Sequence, residues 1–206
     1  MITIFICTSI LIAFFLYRIS STLIDIAEND ILDTAKSIED GVTRRNLPLW
    51  FSVGYMVTTT IISYQCNNDY IFVITMIILS AASIIDMIRN WVPDLIIFLT
   101  ISLSFMGNDN NHLHIIATCI ITLLPFLVLN LISLKSNQRT SVASGDLYII
   151  AALSIWLSPF TSPLLAALTI LSATVFSLKS KNTHIPLVPF IQMSFLITYA
   201  IHRHLL

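Results

Sequence analysis

Two aspartates, Asp86 and Asp146, stand at the edges of apolar stretches in a chain that otherwise keeps its acids almost entirely out of them. One lies in Ser83-Ile84-Ile85-Asp86-Met87-Ile88-Arg89-Asn90-Trp91-Val92-Pro93-Asp94, the other in Ala143-Ser144-Gly145-Asp146-Leu147-Tyr148. A charged side chain at membrane depth costs roughly 2.5–3.5 kcal/mol at a helix centre, so such a residue is a functional candidate by default. Two carboxylates that share one proton can hydrolyse an amide. The ionised one takes a proton from water, and the protonated one polarises the scissile carbonyl. Such a pair titrates as a unit, so the two roles are not assigned residue by residue.

The residues around the pair admit both plain and chemical readings. Gly145 suits a close backbone approach, or simply a turn into the next helix with Asp146 as its N-cap. Pro93 fits the first turn of a helix, and Asp94 beside it reads as an acid placed on the helix dipole. Pro186 and Pro189 in Ile185-Pro186-Leu187-Val188-Pro189-Phe190 open the last apolar stretch. They predict either a helix start or an irregular backbone that leaves carbonyls free to line a cavity.

The elements that must hold these residues are helices in a bilayer. The 206 residues are 56% hydrophobic and only 10% charged, against about 25% charged in a soluble domain. Apolar stretches near 2–17, 49–65, 70–85, 94–106, 113–134, 147–158, 163–178 and 187–201 predict an all-α polytopic membrane protein of about eight spans. Several are short and must borrow flanking residues or thin the bilayer. Nine of the ten Lys and Arg fall in alternate loops, and only Arg203 falls on the other side. That bias puts both termini outside and Asp86, Asp94 and Asp146 at the cytoplasmic ends of their helices. Residues 1–17 read as a retained first span, since no positive n-region or cleavage site marks them as a signal. Residues 18–48 predict a cytoplasmic amphipathic helix with an acidic, solvated face, and residues 49–206 a seven-span core.

Other chemistry is poorly supplied. Cys7, Cys66 and Cys119 form no paired motif and read as small buried hydrophobes. The His112/His114 and His202/His204 pairs lie in an outer loop and in the tail, with no carboxylate or cysteine to complete a metal site. His184 reads as a solvated loop residue. Ser144 has no G-x-S-x-G around it. A net charge of −1 without a basic run offers nucleic acid no patch.

In order along the chain, Asp86 followed by Val92-Pro93-Asp94, then Gly145-Asp146, then Pro186-x-x-Pro189-Phe190, resembles the type IV prepilin peptidases, membrane aspartyl proteases of the GxGD type. The early Phe15-Leu16-Tyr17-Arg18-Ile19 is similar to the end of that family's first span. The resemblance implies Asp86 and Asp146 as the catalytic pair, with Gly145, Pro93, Asp94, Pro186 and Pro189 in support. It implies removal of a basic leader from a prepilin or pseudopilin at the cytoplasmic face of a bacterial inner membrane. Ala143 stands in place of the first motif glycine, and Tyr148 where a lysine often follows. Residues 18–48 hold no cysteine for the zinc-bound insertion of many members. A peptidase without zinc, S-adenosylmethionine or N-methyltransferase activity is therefore expected. The alternatives are another GxGD-type intramembrane protease, or a small transporter or assembly scaffold with the acids as an ion relay. A relay would call for acids deeper in the spans.

Overall fold

A computed structural model describes residue 3 and residues 5–14, 47–108, 111–135, 142–180 and 185–205. The predicted amphipathic helix over 18–48 and the stretch 15–19 lie almost wholly outside the described residues. Eight helices and no strand occur among the described residues. They are α1 (Phe5–Phe14), α2 (Leu49–Cys66), α3 (Tyr70–Arg89), α4 (Asp94–Met106), α5 (His112–Lys135), α6 (Ser144–Ser154), α7 (Ser162–Ser180) and α8 (Val188–Leu205). Three of them, α3, α5 and most of α7, are long and apolar enough to cross a membrane.

The helix ends follow from local chemistry. The Asp69 carboxylate accepts from the Ile71 N–H at 3.0 Å and starts α3. Asn90 ends it in the left-handed region at φ 53°, one of the few places where asparagine is favoured at a helix terminus. Helix α3 is the centre of the bundle: 67% of its 18-residue apolar window is buried, against 22% in the corresponding windows of α5 and α7. It packs on α2, α4 and α8. Phe72, Met76 and Leu79 from α3 meet Ile149, Ile150 and Leu153 from α6 and Ile191 and Phe195 from α8 in one core.

Apolar packing is no stronger against a neighbouring helix than against lipid, so small residues and hydroxyl contacts specify helix pairing in membranes. Ser9 on α1 meets Thr60 on α2 at 2.8 Å, and Thr59 on α2 meets Ser80 on α3 at 2.7 Å, both pairs buried.

Helix α6 differs from the expected sixth span. It starts three residues earlier than the apolar stretch, at Ser144, and ends at Ser154. Eleven residues rise roughly 16 Å, about half the hydrocarbon thickness. The chain then runs through Ile155, Trp156 and Leu157 as turns, all three buried. Irregular backbone at membrane depth is tolerated where protein encloses it. Here the Asn108 side chain donates to the Ile155 carbonyl, and Trp156 packs edge-on against Phe72 with centroids 5.3 Å apart. Cys7 is exposed, and Cys66 and Cys119 are only partly covered, so the expectation of three buried cysteines is corrected. His112 and His114 belong to the first turn of α5, and His202 and His204 to the last turn of α8, not to loop and tail.

Gly107 closes α4 directly under the Trp156 ring, and a Cβ there would overlap the indole. Around Gly54 in α2 nothing lies within 4 Å of an added Cβ. Gly107→Ala is therefore expected to destabilise the purified protein by about 1–3 kcal/mol through overpacking. Gly54→Ala should be neutral or slightly stabilising. Thermal unfolding of both variants in detergent checks the contrast.

Candidate active site

Asp86 lies one turn before the end of α3 and Asp146 in the first turn of α6. Both residues line one cavity of roughly 800 Å³. Its walls come from the ends of α3 and α4, from α5 and α7, and from the segment leading into α8. Across this cavity the Asp86 carboxylate is close enough to act electrostatically on Asp146.

Asp86 is 5% exposed. A buried carboxylate is costly unless hydrogen-bonded, and its partners are backbone N–H groups across the bundle. Oδ2 accepts from Val188 N at 2.9 Å, and the Leu187 N–H lies beside the same carboxylate. Val188 is the first residue of α8, so Asp86 caps that helix from another element, where free N–H groups and the helix dipole both favour an anion. This revises the expectation for the prolines. Pro189 is the second residue of α8 and has no N–H to leave unpaired. Pro186 is buried in the extended segment before it. At this helix start it is the N–H groups before Pro189 that are put to use, through Asp86.

Asp146 is half-buried at the third position of α6. Its carboxylate lies near the N–H of Ala143, the N-cap residue, at the position that the acid of a capping box takes. It is thus not the N-cap itself. Gly145 carries no left-handed backbone; its role is space. A Cβ there would meet the Ile97 Cδ1 of α4 at 3.0 Å, so glycine lets α6 lie close against α4.

Pro93 is the N-cap of α4, one position before the helical turn expected for it, and its carbonyl accepts from Ile96 at 2.9 Å. Asp94 is the first helical residue, exposed at the rim of the cavity and favourably placed on the α4 dipole. Ala143 lines the cavity, whereas Tyr148 is 59% exposed and does not. Among the described residues no group of three or more His, Cys, Asp or Glu could hold a metal ion.

Near the cavity, Asn130 is absent from the expectations drawn from the sequence. Asn130 sits in the apolar run Leu123–Ile132 of α5 and clamps the backbone of Val142, just ahead of α6. Its Nδ2 donates to the Val142 carbonyl at 3.0 Å, and its Oδ1 accepts from the Val142 N–H at 2.8 Å. The signal was available, because an amide within a spanning run is itself unusual. The clamp fixes the strand of chain from which Asp146 projects.

A family model described as the type IV leader peptidase family matches residues 73–178, just over half the chain and inclusive of both aspartates. Searches of curated proteins and of solved structures gave no match.

Replacing Asn130 by Leu removes both partners of Val142 while keeping the bulk. Each buried backbone group left unpaired costs about 1–3 kcal/mol. Local opening of residues 142–146 should follow. Hydrogen exchange at Val142 and Ala143 in Asn130→Leu is expected to accelerate at least tenfold, with exchange in the middle of α3 unchanged.

Proposed function

The chain belongs to the type IV leader peptidase family, and we propose that it is a membrane aspartyl endopeptidase that removes the basic leader from prepilin or pseudopilin precursors. The observation that carries this reading is the meeting of Asp86 and Asp146 on one cavity at the same end of the bundle. Family membership makes the substrate a protein, and the cavity offers a carboxyl pair on one side and apolar walls on the other. In the proposed reaction one carboxylate takes a proton from water as the oxygen attacks the scissile carbonyl. The partner carboxylic acid gives its proton to the carbonyl oxygen, forming a gem-diol. Collapse of the diol breaks the C–N bond, and a proton passes to the leaving amine, so the pair ends with the one proton it began with.

The remaining organisation is proposed on the same basis. Eight spans, with both termini outside, would put the aspartates at the cytoplasmic face of an inner membrane, as the Lys and Arg distribution supports. Residues 1–17 would form the first span, 18–48 a cytoplasmic segment, and 49–206 the peptidase core. Neither zinc nor S-adenosylmethionine has a part in this scheme. Gly145, Pro93, Pro186 and Pro189 act through backbone placement, and Asp94 through the α4 dipole.

Co-expression with a pilin precursor tests the reading. The wild-type chain should shorten the precursor. Asp86→Ala and Asp146→Ala should each reduce processing by at least a thousandfold, to an undetectable level on a gel, because neither carboxyl can complete the proton cycle alone. Asp94→Asn should retain processing within about threefold. Normal processing by either alanine variant would remove the assignment.

A further inference from the structure

Gln192 is fully buried in the second turn of α8, and all four hydrogen-bonding positions of its amide are filled. Oε1 accepts from the Tyr55 hydroxyl and from Ser83 Oγ, each at 2.8 Å. Nε2 donates to Ser80 Oγ at 2.7 Å and to the Met76 carbonyl at 3.2 Å. Ser80 in turn meets Thr59. A single amide thus joins α2, α3 and α8 where a leucine of similar volume would satisfy apolar packing.

The location of this amide gives it a purpose. Val188 and Gln192 are four residues apart on α8 and share one face. Met76, Ser80, Ser83 and Asp86 recur every three or four residues on α3 and share the facing stripe. The two helices run antiparallel, so the Asp86–Val188 bond and the Gln192 contacts are successive rungs of one seam. Beyond them the seam continues through Phe72, which meets Phe195 at 6.0 Å and Tyr199 at 4.5 Å between ring centroids. Apolar rungs tolerate axial sliding, since one methylene replaces another at little cost. The amide does not, because a shift of about an ångström strands a buried donor or acceptor.

We propose that Gln192 is a positioning residue for the Asp86 carboxyl: it locks the axial register of α8 against α3 and so holds the Val188 N–H on Asp86. This inference rests on the proposed catalytic role of Asp86.

The test uses the full chain, purified and reconstituted in liposomes, with a synthetic pilin-leader peptide as substrate. Gln192→Leu is expected to lower kcat at least tenfold with KM within twofold of wild type, because register affects the reacting carboxyl and not the peptide-binding walls. Thr198→Val serves as control. Its hydroxyl is also fully buried on α8 but has no hydrogen-bond partner, so kcat should stay unchanged. Should Gln192→Leu fail to accumulate, the double variant Tyr55→Phe with Ser83→Ala decides. It removes both donors to Oε1 with little change of shape, and kcat should fall at least threefold at unchanged KM. Wild-type kcat in whichever variant decides, or an equal loss in Thr198→Val, would overturn the inference. Asp86→Asn is assayed alongside. Activity there would defeat the catalytic reading itself, whereas an inactive Asp86→Asn beside a fully active Gln192 variant would defeat the positioning role alone.

Discussion

The bond from the Val188 N–H to the Asp86 carboxylate is the contact on which the arrangement turns. Burying an acid inside an apolar bundle is unfavourable, and the start of α8 needs an acceptor for its first N–H groups. Each problem answers the other. The bond joins residues 102 positions apart and ties the most enclosed helix to the last one. It also determines which way Asp86 faces. With Oδ2 held by α8, the carboxyl is anchored at the cavity wall instead of turning into the core.

Asp146 is positioned by different means. Its helix is too short to cross a bilayer, so a buried turn and an amide from the α4–α5 connection hold the far end of α6. The near end hangs from Asn130 through the backbone of Val142. Gly145 lets that end approach α4. One acid is therefore fixed by a helix start and the other by a clamped segment, and the two supports share no residue. Such independence means that the pair can be disturbed from either side without dismantling the other.

The sequence carried the outline of this arrangement for identifiable reasons. Helix positions were legible because runs such as 70–85 and 113–134 have no competing periodicity. The aspartates stood out because acids are rare in such runs, and the order of motifs around them matched a family. Asn130 and Gln192 went unread, although each is an amide in an apolar helix, because their meaning lies in partners on other elements. The length of α6 was also hidden. Ile155, Trp156 and Leu157 are as apolar as a helix continuation, and only the packing of Trp156 under Gly107 and against Phe72 shows why the helix stops. The prolines near 186–189 were recognised as a special helix start. Their contribution through N–H groups needed the position of Asp86, which no local pattern supplies.

Catalysis by Asp86 and Asp146 requires two carboxyls 60 positions apart in the chain to lie close together, and cross-linking in native membranes measures that directly. In a variant with Cys7, Cys66 and Cys119 replaced by Ala or Ser, cysteines would be placed at 86 and 146. A thiol-reactive reagent with a short spacer would then be added. A second variant with cysteines at 83 and 192 calibrates the reaction, since those side chains are in contact. A shared carboxyl site predicts that the 86–146 pair links intramolecularly with a yield comparable to that of the 83–192 pair. Efficient linking at 83–192 with none at 86–146 would contradict it.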